Sequence, residues 1–383
     1  MKETKRHLER SEFNELAWVH LVLLRLLGLV AFDSRSPNFW PSRLLCLFMY
    51  SCNILVTSMY TCCIARSLIS TGRADVQVVA ECVGLCGVHL RFLITYANRK
   101  RLEKLLNEAR KLWLELTDQE KCLLRSAQVT RYYLSVCAGH VLLYVVPDLI
   151  RFLLNDIRLL PFPFYGEVTA SPGYEISFFM QTIGLIGICV AASGIDTTVL
   201  FLIMFASGYS NILGTRFSSI AKRCEGHANG PFVYKEMINV TQCHQRIIEF
   251  CERMSEITSP LFMVLLICTT YTMSLIGLKI VGTDPDKYKG ATVLIIYVVQ
   301  LFTCNWAPDV LATESGALDK SVYFLTTTDQ NDKEISKLLN IVMMRSQRPI
   351  QLTVAGYVNL SMECFSSMIT SAVSFFTVLR SMK

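Results

Sequence analysis

Charged side chains are scarce in this chain. Only 18% of its residues are charged and 52% are hydrophobic, whereas soluble domains carry about 25% charged and about 45–50% apolar residues. The mean hydropathy is +0.39, and the apolar residues form runs long enough to cross a bilayer. The composition therefore excludes an ordinary soluble domain and predicts an integral membrane protein. The net charge of +6 forms no block, which argues against a nucleic-acid partner.

Catalytic motifs are also lacking. The chain has no Walker loop, no GxGxxG and no HExxH, and no nucleophile stands in a recognisable pattern with a base. Cys243, His244 and Cys251 lie close together on a predicted helix, but a metal site would need a fourth ligand that is not found nearby. His89 and His140 fall in apolar runs, where a hydrogen-bonded interior histidine is the usual reading and a ligand contact the alternative. The sequence predicts no enzyme, no metal and no cofactor.

Long apolar segments are what the sequence does contain. We predict an all-α membrane protein with seven transmembrane helices, near 42–62, 76–96, 132–152, 175–204, 257–279, 291–308 and 352–379. Pro308 is expected to end or kink the sixth. The predicted organisation is an N-terminal arm with a re-entrant or interfacial helix (1–40), spans one to six (41–308), an anchor segment (309–351) and a seventh helix (352–383).

Basic residues predict the orientation. Lys and Arg concentrate in the N-terminal arm and after spans two, four and six, and are few after spans one, three and five. This asymmetry favours a cytoplasmic N terminus and an extracellular C terminus. Apolar stripes in 99–116, 233–254 and 335–343 predict amphipathic inner helices that form a cytoplasmic anchor bundle. Whether that bundle belongs to one subunit or forms a subunit interface stays open at this point.

A polar seam runs along the last apolar segment. Its members recur at helical spacing and are Glu363, Ser367, Thr370, Ser374, Thr377 and Ser381. A membrane-crossing helix has no reason to carry such a seam unless the seam faces protein or water. Packing against neighbouring helices and lining of a pore both satisfy this requirement.

The C-terminal stretch resembles the insect odorant receptors. The resemblance is carried by residues 318–323, by LLNIVMMRSQRP at 338–349 and by FFTVL at 375–379. It implies a subunit of a ligand-gated, non-selective cation channel in the cell membrane of an olfactory sensory neuron. The implied partners are odorant receptor co-receptor subunits in a heterotetramer, a small volatile odorant, membrane lipid and permeating cations. The segment 215–253 is too short for the inner insertion typical of the co-receptor, so the chain looks like a tuning subunit.

The same resemblance implies where the pore closes. Alignment of the FFTVL ending places gate positions at Val378 and Met382, with Ser381 between them. An apolar ring can close a pore by dewetting. Ser374 and Thr377 would then be part of the wet lining beneath the gate.

The resemblance also implies a ligand pocket in the outer half of the bundle, between spans two, three, four and six. The candidate residues are Val83, Gly84, Gly87, Val88, Gly139, Leu143, Tyr144, Pro147, Phe178, Phe179, Gln181, Thr182, Ile296 and Tyr297. This set is largely apolar with a few polar groups, which suits a small volatile molecule. Tyr144, Phe178 and Tyr297 are favoured because aromatic walls suit a flat odorant.

Other functions remain open on the sequence. A metabotropic seven-span chemoreceptor would couple to a soluble partner through the basic inner segments. A gustatory receptor channel is a close variant of the ligand-gated channel interpretation. A transporter is disfavoured, because neither an internal repeat nor an intramembrane acidic pair is evident.

Overall fold

The computed structural model describes residues 13, 17–29, 39–71, 76–123, 128–155, 158, 160, 170–225, 231–281, 287–327 and 333–381. Its helices are α1 (Trp18–Leu26), α2 (Phe39–Thr71), α3 (Val76–Ala97), α4 (Arg99–Leu114), α5 (Asp118–Leu123), α6 (Gln128–Asn155), α7 (Gly173–Glu225), α8 (Pro231–Val281), α9 (Lys287–Gly316), α10 (Leu318–Thr327), α11 (Lys333–Ser346) and α12 (Met362–Ser381). The predicted all-α fold class is confirmed. Within the described ranges, α3, α6, α7, α8, α9 and α12 are long and apolar enough to cross a membrane. The first predicted span lies in α2, whose apolar stretch Ile54–Ile69 is shorter.

Two helices extend well beyond a bilayer. α7 has 53 residues and α8 has 51, which corresponds to about 75–80 Å at about 1.5 Å per residue, against about 30 Å of hydrocarbon. The predicted continuation of the fourth span past 204 is therefore present. Pro308 does not end the sixth span, because it lies inside α9, which continues to Gly316.

The extensions pack together as an anchor bundle with α4. The buried stripe of α4 consists of Leu102, Leu105, Leu106, Ala109, Leu112 and Trp113. The first half of α8 buries Met237, Val240, Ile247, Cys251 and Met254. α4 contacts α8, and α10 contacts both α7 and α11. The amphipathic stripes predicted from the sequence thus form one apolar core within the single chain, and burial of these side chains stabilises it.

The run before the last helix closes this bundle. After α11 ends at Ser346, the backbone N–H of Ile350 donates to Ser315 Oγ at 2.9 Å. A Cβ on Gly316 would lie 3.6 Å from Pro349 Cβ, so the chain runs close beside the end of α9. This stretch therefore fixes where the final helix starts.

The seventh helix begins later than predicted. Residues 352–361 are not helical: Thr353–Val354 (β1) and Val358–Asn359 (β2) pair as short antiparallel strands. Ala355 and Gly356 have φ values of +52° and +76°, which a helix does not allow. The Ser361 hydroxyl accepts a 3.2 Å hydrogen bond from the Cys364 N–H, which caps α12. The boundary at 352 was wrong because an apolar run does not distinguish a strand from a helix.

A capping box forms the start of α5, and an arginine of α7 binds its glutamate. The Thr117 N–H donates to Glu120 Oε2 at 2.8 Å, and the Glu120 N–H lies 3.4 Å from the Thr117 hydroxyl. Arg216 donates from Nε and a terminal nitrogen to the two carboxylate oxygens at 2.6 and 2.9 Å, a bidentate geometry. Burial by itself acts to raise the pKa of Glu120, but the Arg216 and Thr117 hydrogen bonds outweigh it and lower the pKa from 4.5 to about 2.

We expect Glu120→Gln to lower the stability of the purified chain by about 1 kcal/mol at pH 7, a value discounted for solvent screening. Because the folded-state pKa is depressed, the contribution is fully present above pH 4.5 and is lost as the pH falls through about 2. The measurement is the apparent Tm in detergent from pH 7 down to pH 2.5. The difference between wild type and variant should shrink over the acidic part of that range.

Glu103→Gln is the matched control, because Glu103 is an exposed glutamate on α4. It should leave the apparent Tm within experimental error at every pH. A Glu120→Gln variant that follows the control would show that the Arg216 clamp contributes nothing to stability.

Candidate functional site

A cavity of about 100 Å³ lies among the membrane-crossing helices. Its walls come from α2, α3, α6, α7, α8 and α9. The lining residues are Tyr60, Glu81, Gly84, Leu85, Val88, Tyr133, Cys137, His140, Tyr144, Leu185, Ile188, Cys189, Ala192, Thr272, Val293, Ile296, Tyr297 and Gln300. The walls are mainly apolar and aromatic with a few polar groups, as in sites for small organic molecules.

Each contributing helix presents one face to the cavity. On α3 the lining positions are 81, 84, 85 and 88, on α7 they are 185, 188, 189 and 192, and on α9 they are 293, 296, 297 and 300. These spacings of three and four residues are those of a single helical stripe. The cavity therefore runs along about two turns of α3, α7 and α9.

A buried polar cluster closes the cavity toward the anchor bundle. Asp196 of α7 forms an ion pair with Arg91 of α3, whose side chain is 5% exposed. The Tyr133 hydroxyl of α6 donates to Asp196 at 2.6 Å, and the Gln300 amide of α9 donates to it at 2.5 Å. One carboxylate thus joins the four helices that carry most of the cavity wall.

A second buried ion pair closes the opposite end. The Lys289 ammonium at the start of α9 donates to Asp148 near the end of α6 at 2.6 Å, and both side chains are almost fully buried. Arg151 lies 3.7 Å from the same carboxylate. The Lys289 ammonium also lies 5.4 Å from the centre of the Tyr144 ring, so this pair touches the cavity wall directly.

The structure brings five of the predicted pocket residues together at this cavity. They are Gly84, Val88, Tyr144, Ile296 and Tyr297. A Cβ on Gly84 would overlap the Tyr297 hydroxyl, so α3 and α9 approach each other closely because position 84 has no side chain.

The other predicted pocket residues lie outside the lining. Leu143 and Phe179 are 57% and 63% exposed. A Cβ on Gly87 would lie 2.9 Å from Cys268 of α8, so Gly87 is a position where α3 packs against α8. Phe178 packs beside Tyr144 in a neighbouring apolar cluster. The remaining predicted pocket residues that lie outside the lining are Val83, Gly139, Pro147, Gln181 and Thr182. On α7 the predicted residues 178–182 lie one to two turns before the lining stripe.

Several lining residues were not predicted, among them Glu81, Tyr133 and Gln300. The signal that marks them was available: the predicted spans contain ionisable residues, and these are rare inside membranes unless they are paired or functional. Extension of the helical stripes from Gly84 and Tyr144 also reaches Glu81 and Tyr133. His140, considered above for a ligand contact, lines the cavity, whereas His89 bonds to the Leu85 carbonyl at 2.8 Å.

The final helix α12 has one packed face and one exposed face. Its packed face contacts α8 and α9 and consists of Phe365, Met368, Ile369, Ala372, Phe376 and Leu379. At 100° per residue, the polar seam lies about 160° away from the centre of this face. Every seam residue from Glu363 to Ser381 is exposed in the single chain. The seam therefore points away from its own subunit, and it does not serve packing within the chain.

The predicted gate residues lie at the end of α12. Val378 is 56% exposed, and Ser374, Thr377 and Ser381 are exposed as well. The Thr377 and Ser381 hydroxyls donate to carbonyls of their own helix at 2.7 and 2.8 Å, which satisfies them without a partner from another helix. Met382 lies outside the described residues.

The cavity and α12 are joined through α9. Gln300 lines the cavity, and two and six residues further along α9 the rings of Phe302 and Trp306 stack with centroids 6.3 Å apart. Phe302 also packs edge-on against Phe365 of α12 at 5.8 Å. α9 therefore contacts the base of α12 directly and also lines the cavity.

Comparisons with known proteins agree with this architecture. The profile of the family described as 7tm Odorant receptor matches residues 71–373. Odorant receptor 13a of Drosophila melanogaster is 22% identical over 347 residues, which is 80% of this chain and 81% of that protein. Odorant receptor 10 of Aedes albopictus is 23% identical over 314 residues, which is 76% of this chain and 80% of that protein.

A solved structure shares the fold. The insect olfactory receptor OR5 from Machilis hrabei, in complex with eugenol, matches with a TM-score of 0.79 at 14% identity over 98% of each chain. The family profile covers most of the chain, and the helical architecture is the same from end to end. The chain therefore belongs to the 7tm Odorant receptor family, a family of membrane receptors and not of enzymes.

Proposed function

We propose that this chain is the odorant-binding subunit of a heteromeric, ligand-gated, non-selective cation channel. Its partners are odorant receptor co-receptor subunits in a tetramer, and its place is the cell membrane of an olfactory sensory neuron. The observation that carries the channel assignment is the polar seam of α12, which is exposed on the face turned away from the subunit. A polar face is unfavourable against lipid, so it calls for water or a neighbouring subunit.

The cavity is the proposed odorant site. With the N terminus in the cytoplasm, as the basic residues indicate, α3 enters from the outer side, and its lining positions 81–88 lie in the outer half of the membrane. The cavity, at about 100 Å³, is smaller than the engineered cavities of about 150 Å³ that hold benzene. A small volatile molecule fits with modest side-chain adjustment.

Gating then follows from differential binding. A ligand favours the open state only by the difference between its affinities for the open and closed forms. The contact from α9 to Phe365 of α12 supports a route by which expansion of the cavity alters the packing of the pore helix. The apolar side chain at Val378 closes the pore, and the seam residues beneath it form the wet lining.

In excised, nucleotide-free membrane patches that contain this chain and the co-receptor, we expect odorant-evoked cation current, because a channel needs no soluble messenger. Patches with the co-receptor alone are the control and should not respond to the same odorant. Absence of current in patches, together with intact second-messenger signalling in whole cells, would instead identify a metabotropic receptor.

Gly84→Ala should raise the half-maximal odorant concentration at least tenfold, because the new methyl group must displace the Tyr297 hydroxyl and both residues line the cavity. Gly139→Ala is the matched control, since nothing lies within 4 Å of a Cβ at that position, and it should change this concentration less than twofold. Equal responses of the two variants, at equal surface expression, would place the odorant elsewhere.

Val378→Ala should raise the ligand-independent leak current at least severalfold, because a smaller apolar ring is wetted more easily. Val373→Ala removes the same volume from a residue of the same helix with almost the same exposure, 55% against 56%. The control should leave the leak unchanged. Unchanged leak and unchanged conductance in Val378→Ala would exclude Val378 as the gate.

A further inference from the structure

One face of α3 is exposed and apolar down to the inner end of the helix. The stretch Val78–Ala97 is long and apolar enough to cross a membrane. Its exposed face carries Cys86, Leu90, Leu93 and Ala97. The spacings of four, three and four residues define a single helical stripe. At about 100° per residue, the cavity-lining positions of α3 lie on the other side of the helix, so the exposed stripe faces lipid.

The helical backbone pattern continues from α3 into α4. Asn98 lies between the two helices, and its N–H donates to the Ile94 carbonyl at 3.1 Å. The Asn98 carbonyl in turn accepts the Leu102 N–H at 3.0 Å. These are bonds between residues four apart, as in an uninterrupted α-helix. The faces of α3 therefore carry over into the first turns of α4.

The lipid-facing stripe continues into α4 as a basic patch, which we define as Lys100, Arg101 and Lys104. Lys100 and Lys104 follow Ala97 at spacings of three and four, and Arg101 lies beside them on the helix. All three side chains are exposed. Lys104 lies about 10 Å beyond Ala97 along the helix, which is close to the Debye length of about 8 Å at physiological ionic strength. The patch thus lies within reach of the charges of the lipid headgroups.

Tyr96 and Arg99 mark the level of those headgroups. Tyr96 is 46% exposed, and the guanidinium carbon of Arg99 lies 4.1 Å from the centre of its ring. Tyrosine is typical of the boundary between membrane and water, and basic side chains near helix ends extend to that boundary. The basic patch begins one residue after this pair.

The chain itself compensates the basic patch only weakly. Within the described residues, none of its three side chains forms an ion pair. The acidic residues further along are already bound, Glu108 by Arg253 at 3.1 Å and Glu115 by Arg246 at 2.6 Å. Glu103 is the one acidic residue inside the segment 100–104, so three positive charges stand against one negative charge.

We infer that the basic patch binds the headgroups of anionic phospholipids in the leaflet that the basic residues mark as cytoplasmic. Clusters of Lys and Arg directly beyond a membrane helix attract such headgroups. Membrane orientation by itself requires basic residues on this side, but it does not require them on the lipid-facing stripe without acidic partners. The inference is independent of the proposed channel function. Headgroups bound here hold the depth and rotation of α3, whose other side lines the cavity.

The test compares phosphatidylserine with phosphatidylcholine of identical acyl chains. Binding of the first lipid molecule to the purified full chain is titrated by native mass spectrometry at pH 7. Wild type should bind phosphatidylserine at least fivefold more tightly than phosphatidylcholine. The triple variant Lys100→Gln, Arg101→Gln and Lys104→Gln should reduce this preference below twofold without a change in phosphatidylcholine binding.

The matched control removes three positive charges elsewhere, by Lys111→Gln, Lys222→Gln and Lys235→Gln. These lysines are exposed on α4, α7 and α8, and Lys111 lies about 20 Å beyond Ala97 along the helix. The control should keep the preference of wild type. Glu103→Gln removes the one negative charge and should tighten phosphatidylserine binding at least twofold.

The possible outcomes each decide the inference. Equal binding of the two lipids by wild type overturns it, and so does an unchanged preference in the triple variant or an equal loss in the control. If the triple variant loses binding of both lipids, Glu103→Gln decides. Tighter binding of phosphatidylserine by Glu103→Gln then supports the inference, and unchanged binding refutes it.

Discussion

The buried carboxylate of Asp196 is the interaction on which the arrangement of the cavity depends. In a membrane no water is available to solvate a charge, so an intramembrane acid must be neutralised and hydrogen-bonded by the protein itself. Arg91, Tyr133 and Gln300 meet this requirement from three other helices. The rotation and depth of α3, α6, α7 and α9 are thereby set relative to one another. The cavity is the space that remains above this cluster.

The second ion pair, between Asp148 and Lys289, makes the cavity a bounded compartment. Along α6 the order is Tyr133, then the lining residues, then Asp148. Along α9 it is Lys289, then the lining residues, then Gln300. Both ends are held by ion pairs, whereas the wall between them is mainly apolar and aromatic.

The packing of α12 against α8 and α9 supports the proposed coupling between the cavity and a pore. One face packs against α8 and α9, and the opposite face carries only polar or exposed side chains. α12 is thus held on one side, and Phe302 of α9 contacts Phe365 in the first turn of α12. The two helices touch near the end of the cavity wall, so the proposed coupling would require no further residues between them.

Much of this architecture was predictable from local patterns. The apolar runs predicted the membrane helices, and the stripe of α4 with Leu102, Leu105 and Trp113 predicted the anchor bundle, because helical periodicity depends only on residue spacing. The start of α12 was not predictable in this way. Whether residues 352–361 form a helix or paired strands depends on the backbone conformation of Ala355 and Gly356, and on the Ser259 hydroxyl that accepts the Ala355 N–H at 2.9 Å.

By itself, the sequence determined the class of the protein, the existence of its helices and the polar face of the last one. These properties follow from composition and spacing along a single helix. Only the tertiary structure decided which residues meet at the cavity. Glu81, Tyr60 and Tyr297 come from different helices, and their meeting depends on the relative rotation and depth of those helices. That geometry is set by long-range contacts, above all the pairing of Arg91 with Asp196, which no local pattern encodes.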